Sequence, residues 1–225
     1  MFVPNLDLLH KSSERPEREP YIAIFRKGEK ILIYIAEKHS ANESFDMTDF
    51  CFSDKSPAAP QVVLVEFERS GRKAGTGEIH GNNLAYAAAR ATECGLPVIF
   101  ADLSRDECLD VWRKRYPERI FTDEDLRRAR RTGRPSTNKG EDSLLLYELE
   151  LYGRDPFMVK NIVAALNKYE VVLAVFGEGH YRAQRLVLED IMGKPEYIKD
   201  VPNTRGDFSN CKIVPIDLGV TIAER

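Results

Sequence analysis

Three short apolar runs constrain the fold of this chain more than any other feature: Gln61–Phe67 (QVVLVEF), Pro97–Ala101 (PVIFA) and Glu170–Phe176 (EVVLAVF). They do not alternate with polar residues, so none offers a face to water. Strands of that kind are covered on both sides, the situation of a parallel sheet. The stretches between them carry helical spacing. Asn82–Cys94 has Leu84 and several alanines on one face and Gly95 as its stop. Ser104 and Glu107 form a capping-box pair that opens a helix running to about Tyr116. Glu141–Leu151, Asp155–Tyr169 and Tyr181–Met192 read as three more helices. Alternation of this kind from residue 61 onward predicts an α/β fold, a mostly parallel central sheet with helices on both faces.

Upstream, YIAIFR (21–26) and KILIYIA (30–36) are split by Lys27-Gly28-Glu29, the signature of an N-terminal β-hairpin. Phe45–Phe52 reads as a short helix and Ser53–Pro60 as a loop; Tyr197–Asp200 and Lys212–Asp217 read as final strands. Residues 1–20, with Pro4, Pro16 and Pro20 among charges, read as an irregular lead-in to a single domain over 21–225. That domain carries a helical insertion at about 104–140, within which Arg113–Arg134 holds nine Lys or Arg against four acids, a local charge of +5. The insertion runs into the polar loop Gly133–Gly140, and its place between core strands suits a lid.

Composition narrows the class. A chain of 225 residues that is 43% hydrophobic and 31% charged can bury a core, and a net charge of −3 gives no global pull towards nucleic acid or membrane. There is no apolar run long enough to span a bilayer and no apolar leader at the N-terminus, so a cytoplasmic protein is expected. Cys51, Cys94, Cys108 and Cys211 form no CxxC and read as reduced thiols. The oligomeric state is left open.

In open parallel sheets ligands bind outside the carboxyl ends of the strands. Applied here, that rule gathers His39 and Glu37 after one strand, Glu66 near the end of the next, then Asp102, then Glu178 and His180. Glu66 stands inside an apolar run, where a carboxylate is costly unless paired or used. Two imidazoles and a buried carboxylate on one rim can activate water directly, or can hold a divalent metal (His39, Glu66, His180) that does so. His10 and His80 have no neighbours that support a site role and read as surface residues.

These same residues carry a resemblance. AEKHSAN (36–42), VEF (65–67), RDPFMVKN (154–161) and GEGH (177–180), in that order, resemble the erythromycin-esterase/ChaN group and its distant TraB/TIKI relatives over about residues 30–192. The first motif departs from the group pattern, with Ala36 where glycine is usual. The resemblance implies a hydrolase of ester or peptide bonds. His39 would be the base or a metal ligand, Glu37 and Glu66 would orient it or share the ligation, and His180 would be the second imidazole. Arg154 would hold an anionic group or support Glu66, with Asn42, Asp102, Asp155, Asn161 and Glu178 around them. It implies either no required cofactor or a divalent metal ion; haem, bound by some members, is disfavoured by the polar N-terminus.

Other readings fare worse. Gly177-x-Gly179 lacks the third glycine of a dinucleotide fingerprint, Arg182 standing there, and Gly71–Gly77 is followed by no GKS or GKT. No GxSxG or HExxH occurs. Two alternatives remain: a non-catalytic binding member of the same fold, and anion or nucleic-acid binding through Arg127, Arg128, Arg130 and Arg131.

Overall fold

The computed structural model describes residues 1–11, 20–38, 42–68, 82–132, 140–201, 215–216 and 218–220. His39, His80, Arg134, Cys211, the loop Gly71–Gly77 and most of Gly133–Gly140 lie outside them, as does Lys212–Val214 of the expected last strand.

A seven-stranded mixed sheet organises the molecule. The hairpin forms as its sequence predicts. β1 (Tyr21–Lys27) and β2 (Lys30–Glu37) pair antiparallel, with Lys27 opposite Lys30. The two-residue turn has Gly28 first, at φ +59°, a conformation that favours glycine. The three apolar runs become β3 (Val62–Glu68), β4 (Val98–Asp102) and β5 (Val171–Gly177), all parallel to their neighbours. Two short strands, β6 (Glu196–Ile198) and β7 (Pro215–Ile216), close the edges and give the order β6-β1-β2-β5-β3-β4-β7.

Strand periodicity divides the core. Tyr34, Ala36, Leu64, Ala174 and Phe176 face α6 (Asp155–Lys168) and α7 (Glu178–Met192). Ile33, Ile35, Val63, Val65 and Val175 face α1 (Asn42–Cys51) and α2 (Asn83–Glu93). The helical insertion has an apolar centre of its own. α3 (Arg105–Arg115), α4 (Asp123–Thr132) and α5 (Glu141–Leu149) enclose Trp112, Phe121, Leu126, Leu145 and Leu149, and the Trp112 indole N–H donates to the Leu145 carbonyl at 2.9 Å. The Ser104–Glu107 capping box forms at the start of α3.

Three local readings change. The helices expected at 141–151 and 155–169 are one continuous helical run, α5 and α6 being joined through a π turn, Glu150–Arg154. α7 starts at Glu178 rather than Tyr181, which puts His180 in its first turn. The N-terminal lead-in is partly structured: Leu6–Leu8 form a 3-10 turn, Leu9 is buried, and Phe2, Leu6 and Leu8 pack on the core. Among the described residues no helix is long and apolar enough to cross a membrane.

Candidate functional site

Two backbone irregularities build the site. Val65 pairs with Phe100 and Glu68 with Asp102, so Glu66 and Phe67 of β3 stand against Ala101 alone. That extra residue is a β-bulge, which bends a strand. Alternation along β3, with Leu64 on one side and Val65 and Phe67 on the other, puts Glu66 on the α6–α7 side of the sheet near the strand's carboxyl end. The second irregularity is the π turn, a form that inserts one residue into a helical turn and recurs at functional sites. Gly153 lets this turn press against α3: a Cβ there would stand 2.8 Å from Val111 Cγ2 and 3.1 Å from Leu103 Cδ1. The next residue, Arg154, points into the sheet edge.

Arg154 grips two carboxylates. Its Nε and Nη2 donate to Asp102 at 3.0 and 2.8 Å, and Nη2 also donates to Glu66 Oε1 at 2.7 Å. His180 Nε2 meets the same Glu66 oxygen at 3.1 Å, while its Nδ1 meets Asp155 Oδ1 at 2.8 Å. Glu66 Oε2 accepts the Gly177 backbone N–H at 2.8 Å. Asp155 extends the chain outward, its Oδ2 accepting from His10 Nε2 at 2.7 Å and its Oδ1 also from Gln184 at 2.9 Å. Gln184 in turn accepts from the Tyr34 hydroxyl at 3.2 Å. The result is a continuous line: His10, Asp155, His180, Glu66, Arg154, Asp102.

Burial and charge set the protonation of this line. Burial alone would lower the His180 imidazole, but Glu66 and Asp155 on either side outweigh it and push it up to about 10. His180 is therefore an imidazolium at neutral pH, donating from both nitrogens. Burial would raise Glu66; His180, Arg154 and the Gly177 N–H hold it well below the usual carboxylate range. Asp155 is likewise drawn down to about 2, against burial, by His180 and His10. Tyr34 is pushed the other way, well above its ordinary value, by burial and by the Asp155 and Glu66 charges.

Of the residues singled out from sequence, Glu66, Asp102, Arg154, Asp155 and His180 meet. Arg154 is occupied by Glu66 and Asp102 rather than open to an anion. Glu37 is elsewhere: it lies on the α1–α2 face, where the Asn83 amide donates to it at 2.9 Å and Thr48 donates to Asn83 at 2.9 Å. Alternation decides this, since Ala36 takes the α6–α7 side and its neighbour must take the other. Asn161 is turned into its own helix, donating to the Phe157 carbonyl at 3.1 Å. Glu178 pairs with Arg182 one turn on, at 2.7 Å. Asn42 begins α1. His39 lies outside the described residues.

His10 is the residue that sequence reasoning missed. It is no isolated surface residue: it holds a left-handed backbone at φ +56°, its N–H donates to the Ala183 carbonyl at 2.8 Å, and its ring stands edge-on to Tyr147. Nothing local marks it, because its partner Asp155 is 145 residues away.

Of the three ligands expected for a metal ion, His39 lies outside the described residues. Both nitrogens of His180 and both oxygens of Glu66 are already engaged, and no group of three His, Cys, Asp or Glu among the described residues is placed to hold one.

The basic insertion presents fewer bare cations than its sequence suggests. Arg115 pairs with Glu148, Arg119 with Glu141, Arg127 with Glu124, and Arg128 with both Asp125 and Asp142. Arg130 reaches Glu68 at the end of β3, at 3.1 Å, and so ties α4 to the rim of the sheet. Arg131 lies in α4.

Compared with protein-family models, with curated proteins and with solved structures, the chain finds no match.

Proposed function

We propose that this chain is a hydrolase of ester or peptide bonds, acting where β3, β4 and β5 end. One observation carries the reading: the unbroken Asp155–His180–Glu66–Arg154 line at the edge of a parallel sheet where ligands bind. A charged imidazole fixed between two carboxylates cannot be the base that takes a proton from water. It can meet the negative charge that grows on a carbonyl oxygen under attack, and preorganised charge of this kind is often the largest single contribution to catalysis. Glu66 and Asp155 hold His180 in place and charged; Arg154 and Asp102 hold Glu66. The base that receives the water proton is His39, a role that rests on the resemblance of AEKHSAN (36–42) to the erythromycin-esterase/ChaN group.

The internal pairing of the insertion favours this reading over docking of nucleic acid, because an arginine already neutralised by a neighbouring acid adds little to phosphate affinity.

The test is hydrolysis of p-nitrophenyl esters and fluorogenic peptide amides by the full chain and by His180→Gln. Loss of about 100-fold or more in kcat/KM, with near-UV circular dichroism unchanged, is expected. A wild-type chain inert to every probe, or a folded His180→Gln with full activity, overturns the proposal. The first outcome favours a non-catalytic member in which the line is a structural clamp.

A further inference from the structure

We propose that Glu150, the first residue of the π turn, is the proton donor to the leaving group in this hydrolysis. The inference rests on the hydrolase reading and extends it to a residue outside every motif that suggested that reading.

The argument starts from what the buried line leaves over. Both oxygens of Glu66, Asp155 and Asp102 accept hydrogen bonds, and both nitrogens of His180 donate. Neither N–H proton of His180 can pass to a leaving group without breaking a bond within the line, and Glu66 and Asp155, held ionised, carry no proton to give. Glu150 borders the same cluster, and its nearest charged partner among the described residues is Arg154 Nη1, at 3.9 Å, beyond hydrogen-bond reach. It is also the carboxyl a substrate can reach: its side chain is 33% exposed, against 10% for Glu66 and 1% for Asp155. The π turn that aims Arg154 inward holds Glu150 at its outer end, so one backbone feature positions both residues.

The two glutamates at this edge are driven apart. Glu66 is held ionised by His180 and Arg154, whereas burial raises Glu150 above its ordinary value. Asp155 adds to that rise; His180, Arg154 and His10 oppose it and do not cancel it. Paired carboxyls with opposite shifts mark an acid and an electrostatic partner. In the reaction, the bond from water oxygen to carbonyl carbon forms and the bond to the leaving oxygen breaks. The Glu150 proton moves to that oxygen, and the water proton passes to His39. Solvent then returns a proton to Glu150, which its exposure permits.

A proton donor matters in proportion to the basicity of the leaving group. Glu150→Gln is therefore compared with wild type on ethyl butyrate, whose leaving alkoxide is strongly basic, and on p-nitrophenyl butyrate, whose leaving phenolate needs no proton. The expected result is a fall of about 100-fold or more in kcat/KM on the ethyl ester and about threefold or less on the nitrophenyl ester. The alkaline fall in the wild-type ethyl-ester profile also disappears. Carbon-13 NMR of the wild-type chain should place the Glu150 titration above that of an ordinary glutamate.

Equal losses on both esters, or none on either, overturn the role of Glu150 and leave the hydrolase reading standing. A Glu150 carboxyl that titrates as an ordinary glutamate also overturns it. A wild-type chain that hydrolyses neither ester, nor the peptide amides, removes the hydrolase reading and this role with it.

Discussion

The sheet edge and the helical cap carry the same kinds of side chain in opposite settings. At the edge, Arg154 and His180 share three carboxylates, and the side chains of Arg154, Asp102 and Asp155 are 11%, 6% and 1% exposed. In the cap, Arg127 and Glu124 pair at a similar distance, yet their side chains are 68% and 61% exposed. Water screens the second pair and can replace either partner. It reaches little of the first, so each group there depends on the others. The composition of the two regions is alike; burial alone makes one a coupled unit and the other a set of independent pairs.

The largest test of that contrast removes the central cation. Arg154→Leu strands Glu66 and Asp102 as buried carboxylates, and loss of one partner of a buried pair costs about 3–5 kcal/mol. Thermal unfolding should fall by roughly 10 °C for a domain of this size. A drop of a degree or two would mean that water already enters the edge.

The pH dependence of stability comes next. His180 is raised in the folded chain from 6.5 to about 10. The stability it contributes is full below about 6.5 and is lost as pH rises towards 10. Asp155 is lowered from 3.8 to about 2, so its contribution is present above about 3.8 and is lost as pH falls towards 2. Urea unfolding across pH should show a plateau between these limits. His180→Gln should flatten the alkaline limb; an unchanged alkaline limb would place its origin elsewhere.

The smallest effect belongs to the cap. Arg127→Ala removes an exposed pair one helical turn long, and should change stability by no more than about 0.5 kcal/mol. A larger loss in urea unfolding would show that the cap charges act as a network and would erase the contrast.

Much of the architecture was legible because its signals are local. The unalternating runs at 61–67, 97–101 and 170–176 read as covered strands, and Lys27-Gly28-Glu29 marked the break of a hairpin. Glu66 could be singled out because a carboxylate in an apolar run needs a partner, and the strand-end rule placed His180 at the same edge, where the two side chains meet. The π turn was not legible, because ELYGR carries no signal that separates it from a break between two helices. The bulge at Glu66 and Phe67 was equally silent, since it exists only in the pairing of β3 with β4.

The sequence by itself determined the class of fold, the order of strands and helices along the chain, and the presence of a carboxylate that could not stand alone. Tertiary structure decided which groups that carboxylate would meet. It turned Glu37 to the far face, fastened Arg154 to Glu66 and Asp102, and brought His10 across 145 residues to Asp155. The physical reason is range: periodicity and capping act over a few residues, whereas the partner of a buried charge is chosen by which elements pack together.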